Sequence, residues 1–232
     1  MGYLLLKHFL ESVFGKPVSV NNDSCCMAYG EYKGGMGGDA GTILFLNVSR
    51  GLGMGMVMDG KLFAGKSGFS GELGHVAILD NKQICRCGKI GCLETGASGI
   101  ALQRLLVGRI QAGQPSLLSA TVKEGKAIGI EDILDAVDRE DVTAIECIEE
   151  VGTVLGRAVA GLINIFNPDM VIVGGSLSAA ERYLMPPLRS AVNKYSLNLV
   201  SNDTVIRVSR LGKRAGAMGA SLLGKDRLLN NY

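Results

Sequence analysis

A charge imbalance is missing from this sequence: 24 Lys and Arg stand against 22 Asp and Glu, a net of +2. With no basic stripe, nothing in these residues argues for nucleic-acid binding. No apolar run reaches the roughly 18 residues of a membrane span. Tryptophan is absent and proline occurs five times. The six cysteines are unevenly spaced, which excludes a secreted disulfide framework. The opening MGYLLLKHFLESVFG is apolar, but Lys7, His8 and Glu11 fall on a helical period, so it reads as an amphipathic helix and not a signal peptide. The expected compartment is the cytoplasm.

What the chain has in excess is glycine: 33 of 232 residues, about twice the usual share. The glycines lack a three-residue period, which excludes collagen, and they sit in clusters between apolar runs, which excludes a low-complexity linker. Such clusters mark tight turns and close backbone approaches. With 47% hydrophobic and 20% charged residues, the chain is neither disordered nor a coiled coil and is long enough to bury a core.

Residues 4–14 have helical spacing. Pro17 is expected to open a short strand, PVSV, that runs into Asn21, Asn22 and Asp23. A helix over 24–32 and a flexible break at GGMGGDAG should follow. The run ILFLNV (43–48) reads as a buried strand. In SRGLGMGMVMDGKLF, Gly51, Gly53 and Gly55 recur every second residue and suggest a glycine-rich turn between two strands; Asp59-Gly60 is a hairpin signal. Helices are expected over 99–107, 129–138 and 143–166. The last should pack on another helix through Gly152, Gly156 and Gly161 and stop at Asn167-Pro168. MVIVGG (170–175) reads as a buried strand closing on a backbone-lined turn, VIRVSRL (205–211) as a strand, and GAMGASLL (216–223) as the start of a final helix. Alternating strands and helices give the class α/β.

Three cysteines fall within eight residues: Cys85, Cys87 and Cys92. His75, one of two histidines, stands ten residues upstream. Zinc is held by four N or S ligands in a tetrahedron, and one His with three Cys is a closed structural set. Gly88 and Gly91 let the chain turn between the thiols. Separately buried cysteines are the plainer alternative, but this clustering beside a histidine favours zinc. Cys25, Cys26 and Cys147 lie on expected helices and read as small core residues.

The strings GELGH (71–75) and CRCGKIGCLE (85–94) together resemble the ROK family of repressors, open reading frames and kinases. That family's pattern is Gly-Glu-x-Gly-His followed by Cys-x-Cys-Gly-x-x-Gly-Cys-x-Glu, matched here throughout. Asn22-Asp23, the GLGMG turn, the PDMVIVGG strand and the terminal GKRAGAMGAS follow in the family's order, so the resemblance covers nearly the whole chain. It implies the sugar-kinase/actin-like (ribonuclease H-like) fold. Residues 1–40 would end a first lobe, and 41–232 would form the second lobe with a zinc- and sugar-binding loop at 65–98. The family's opening Asp-x-Gly-Gly-Thr phosphate loop has no counterpart, so no kinase activity is expected of this piece alone.

The resemblance also implies roles. Asp23 takes the position of the base that accepts a proton from an attacking sugar hydroxyl, although Asn22-Asp23 taken alone reads as a helix cap. Asn22, Asp23, Gly51, Glu72, His75 and Glu94 would contact sugar. His75 would use its second ring nitrogen for this, although most glutamates are simply solvated charges. Ser49, Arg50, Gly53, Gly174 and Gly175 would face the nucleotide. Kinases of the family usually read Gly-Thr-Gly-x-Gly at that turn, against Ser49-Arg50-Gly51-Leu52-Gly53 here. Serine removes backbone freedom, and arginine puts a bulky fork in the phosphate site.

The favoured expectation is the sugar-binding lobe of a sugar-responsive transcriptional regulator, reaching DNA only through an N-terminal domain outside this chain. The alternative is an ATP-dependent, magnesium-using sugar kinase of glucokinase or N-acetylhexosamine kinase type. A zinc-stabilised interaction module is a third reading. A structural zinc, a sugar or sugar derivative and a homo-oligomer (dimer or tetramer) are the implied cofactor and partners, with no membrane.

Overall fold

The computed structural model describes the backbone of residues 2–230 and the side chains of 5–229. Helix α1 (Gly2–Phe14) leaves Leu5, Phe9 and Val13 exposed. The strand expected at PVSV does not form. Residues 17–22 are an irregular connection tied by side chains: Glu11 Oε1 accepts from the Val18 amide, and Arg227 donates to Ser19 Oγ and Asn21 Oδ1. Strand propensity does not make a strand without a ladder to join.

Helix α2 (Asp23–Gly34) is followed by a five-stranded sheet: β1 (Thr42–Val48), β2 (Leu52–Met58), β3 (Lys61–Leu62), β4 (Met170–Gly174) and β5 (Val205–Val208). The spatial order is β3-β2-β1-β4-β5. β2 runs antiparallel to β1 and β3, while β4 is parallel to both β1 and β5. The mixed sheet meets the α/β expectation. β5 is shorter than the alternation suggested. The Asp59-Gly60 turn has both residues at positive φ, 49° and 74°, the geometry a two-residue hairpin needs.

Alternation along the strands sorts the core into two layers. Leu44, Leu46, Val48, Leu52, Met54 and Met56 face α3 (Gly99–Gln111), α5 (Ile130–Asp138), α6 (Val142–Phe166) and α7 (Glu181–Tyr195). Ile43, Phe45, Val57 and Ile172 face α2 and the last helix, here numbered α9 (Ala215–Asn230), through Cys26, Ala28, Tyr29 and Leu223. The expected division between residues 40 and 41 therefore separates α2 from a sheet with which it shares an apolar layer. Between α7 and β5 lies the short α8 (Asn198–Ser201), and α4 (Ser119–Lys123) lies between α3 and α5.

The period-two glycines need correcting. Only 49–51 form the turn; Gly53 and Gly55 are inside β2, on the face that α2 crosses, and a Cβ on either would collide with Ser24. A helix pressed onto one strand face produces the same spacing as a turn. On α6, Gly152 and Gly156 meet the Leu184 and Leu188 carbonyls of α7 as expected, but a Cβ at Gly161 would meet nothing within 4 Å. No helix among the described residues is long and apolar enough to cross a membrane.

Candidate functional site

Helix α2 begins where the sheet's central strand ends. Asn22 caps it: its Oδ1 accepts from the Ser24 amide at 2.9 Å and the Cys25 amide at 3.2 Å, the helix-cap role. Asp23 is the first helical residue and is exposed. Its Oδ1 accepts from the Ser24 amide at 2.7 Å and from Ser24 Oγ at 3.2 Å, and its Oδ2 from Asn47 Nδ2 at 3.3 Å. A carboxylate in this place is stabilised by the helix N-terminus.

Asn47 is the buried polar residue of β1. Its sheet partners on either side are Gly53 and Gly174. Its Nδ2 also reaches Ser24 Oγ at 3.2 Å, and its Oδ1 accepts from Ser49 Oγ at 2.7 Å. Ser49 Oγ in turn accepts from the Ser176 amide at 3.1 Å. Gly175, at φ 88°, packs so closely on Ser49 and Val48 that a Cβ there would lie 2.6 Å from Ser49 Oγ. Asp23 and the Ser49 and Gly174–Gly175 turns thus belong to one polar connection at the C-terminal ends of parallel strands, where open α/β sheets place ligands.

The GELGH loop is anchored by buried Leu73, which plugs into the core between Glu72 and His75. Glu72 is exposed, with Oε2 3.9 Å from His75 Nε2. The other ring nitrogen, Nδ1, lies 3.5 Å from Cys85 Sγ. Burial raises the pKa of the Cys25 thiol, and the charges of neighbouring Cys26, then Asp23 and Glu72, add to the shift.

Glu94 is 8% exposed. Its Oε2 accepts from the Leu52 amide at 3.0 Å and its Oε1 lies 3.5 Å from Arg86 Nη2. A Cβ on Gly51 would sit 2.6 Å from Glu94 Oε2, so the glycine leaves room for the carboxylate.

His75, Cys85, Cys87 and Cys92 present one nitrogen and three sulfurs, all within 4.8 Å of one another. Cys87 Sγ and Cys92 Sγ are 3.5 Å apart. A tetrahedron with the usual zinc bond lengths has S···S edges of about 3.8 Å and N···S edges of about 3.6 Å, so the donors fit. Backbone pairing of Ala77 with Cys92 and of Ile84 with Ile90 holds the knuckle, and Gly88 and Gly91 take φ of 87° and 77° in its turns. A hydrogen bond from the Lys89 backbone lowers the Cys87 pKa, whereas burial pushes Cys92 up to about 11.

Arg50 stands on the same turn as Ser49 but is exposed, beside a cleft of about 450 Å³ that Gly99, Gln103, Glu131 and Ser176 also line. A larger cavity, about 770 Å³, lies between residues 78–83 and helices α3 and α6, and contains none of the expected site residues. Ser24, Asn47, Arg86 and Ser176 were not anticipated. Only Asn47 carried a signal, as the one polar residue in the run ILFLNV.

A family model described as the ROK family matches residues 4–227. A putative xylose repressor from Caldicellulosiruptor sp. is 36% identical over 216 residues, which is 92% of this chain and 53% of the relative. A ROK family transcriptional regulator, described as a homologue of the E. coli MLC protein, has a TM-score of 0.85 at 36% identity, over 96% of this chain and 55% of that one. A ROK family glucokinase from Streptomyces griseus, in complex with glucose and AMPPNP, also has a TM-score of 0.85, at 30% identity, over 94% of this chain and 71% of that one. The chain spans about half the length of the curated repressors it matches and about two-thirds of the glucokinases. These likenesses and the mixed sheet identify the sugar-kinase/actin-like fold.

Proposed function

The chain belongs to the ROK family, and on that premise we propose that it is the sugar-binding lobe of a sugar-responsive transcriptional regulator. The Ser49–Arg50 turn carries the reading. Ser49 Oγ already accepts the Ser176 amide, and Arg50 stands exposed on the same turn. A nucleotide phosphate cradled here would need free backbone amides, and the Ser176 amide is already taken by Ser49 Oγ. A sugar or sugar derivative would be held by Asp23, Glu72, His75 and Glu94, with Asn22 and Gly51 beside it. It would act by binding one arrangement of the lobes better than another. DNA would be reached through a domain outside this chain, in a dimer or tetramer working in the cytoplasm.

Zinc is the metal proposed for His75, Cys85, Cys87 and Cys92. It would supply no chemistry, serving to fix the loop that carries Glu72 and Glu94. Residues 41–232 would be the body of the second lobe, with α2 packed on it.

A second reading, an ATP-dependent sugar kinase, has one observation in its favour. Asp23 keeps a carboxylate at the helix N-terminus, oriented by Asn47, where it could take the proton from a sugar hydroxyl. The test, on the intact full-length protein, is calorimetry over glucose, xylose and N-acetylglucosamine, paired with ADP release in the presence of magnesium and ATP. Sugar binding without turnover supports the regulator. Turnover abolished in Asp23→Asn would replace it with the kinase. Absence of sugar binding would refute both.

A further inference from the structure

Asn47 is the one polar residue pointing inward among Ile43, Phe45 and Val57 on the α2 face of the sheet. A buried amide is costly unless its donors and acceptor are matched, and here both are: Nδ2 to Asp23 and Ser24, Oδ1 to Ser49. The two residues in register with it are glycines, so no neighbouring side chain in the sheet competes for these partners. The partners come from three separate places in the chain: the start of α2, the turn after β1, and, through Ser49, the turn after β4.

We propose that Asn47 is a positioning residue that orients Asp23 and, through Ser49, ties the sugar side of the cleft to the Gly175–Ser176 turn. This rests on the reading of Asp23 as a sugar contact. A sugar hydroxyl donating to Asp23 fixes the carboxylate and with it the Asn47 amide, whose second donor already reaches Ser24 Oγ. A held amide keeps its Oδ1 as the acceptor for Ser49 Oγ and so holds the bond from the Ser176 amide to that hydroxyl. Occupancy at Asp23 is in this way felt at residues 176–180, on the opposite side of β1.

The test uses the metal-loaded full chain and hydrogen–deuterium exchange of residues 176–180. The probe is whichever of glucose, xylose or N-acetylglucosamine binds tightest, at a concentration saturating each variant. Sugar should slow exchange in this segment about fivefold or more in the unmodified protein. Ser49→Ala should reduce that protection to less than about twofold, and Ser49→Thr, which keeps the hydroxyl, should restore it. Asn47→Ala should also abolish it and weaken sugar binding about tenfold. If Asn47→Ala does not fold, the Ser49 pair still decides. Full protection in Ser49→Ala, or none in the unmodified protein with sugar bound, overturns the proposal while leaving the sugar-binding function intact. If none of the three sugars binds, that function fails and this proposal falls with it.

Discussion

Glu94 occupies the space that a side chain at Gly51 would need: its Oε2, bonded to the Leu52 amide at 3.0 Å, lies 2.6 Å from where the Cβ would stand. Glycine in the GLGMG turn is therefore set by the glutamate facing it across the site. Gly51→Ala must push Glu94 off the Leu52 amide or bend the turn. Overpacking or an orphaned buried amide each cost about 1–3 kcal/mol. The expected result is a lower melting temperature and at least tenfold weaker sugar binding. Unchanged binding would show that the carboxylate can move without consequence.

The Cys/His knuckle should contain one metal ion per chain. Cobalt substitution should give the intense visible bands of a tetrahedral thiolate site, and chelation or Cys85→Ser should lower the melting temperature. After chelation, Cys87 should be the first thiol to react with iodoacetamide at neutral pH. It is exposed and its pKa is lowered, while Cys92 is buried and raised to about 11. Added zinc should suppress that reaction. Equal labelling of Cys87 with and without zinc would remove it from the ligand set.

Cys147, inside α6, gives a pH signature of stability. Burial pushes its thiol from 9.0 up to about 11, with Arg109 opposing and the nearby carboxylates adding. The folded chain keeps this proton where the unfolded chain has lost it. Above about pH 9 the unfolded state therefore binds fewer protons, and stability falls as pH rises toward 11; below pH 9 the contribution is constant. Urea midpoints of Cys147→Ala should decline less between pH 8.5 and 10.5 than those of the unmodified protein. Parallel declines would assign the alkaline loss to other groups.

The features readable from the sequence were those in which one physical cause leaves one pattern. Ile43–Leu46 and Met170–Val173 are continuous apolar runs because both faces of the central strands are covered, and both lie in strands. His75 and the three cysteines were legible because metal ligation leaves residue types and spacings that packing does not. Where two causes leave the same pattern, the structure had to decide. Gly53 and Gly55 looked like part of a turn because a helix crossing a strand removes side chains at the same two-residue interval. Pro17–Val20 had a strand's composition, but a strand also needs a partner. The contacts of Arg86 and Ser176 leave no trace in the sequence, since they depend on which loops meet.

The three glycines of α6 provide the sharpest separation of cause from pattern. A Cβ on Gly156 would run into the Leu188 carbonyl and Ala191 of α7, and one on Gly152 would stand 2.6 Å from the Leu184 carbonyl, so here glycine permits two helix backbones to touch. Gly156→Ala has to push the helices apart, at a cost of about 1–3 kcal/mol. Gly161 lies on the same helix with nothing within 4 Å of its Cβ position and an ordinary helical backbone. Alanine there loses no contact and restricts the unfolded chain, so Gly161→Ala should stabilise by about 0.5–1 kcal/mol. Urea denaturation of the two variants should move the midpoint in opposite directions. A destabilised Gly161→Ala would mean that this face of α6 is covered in the assembled protein.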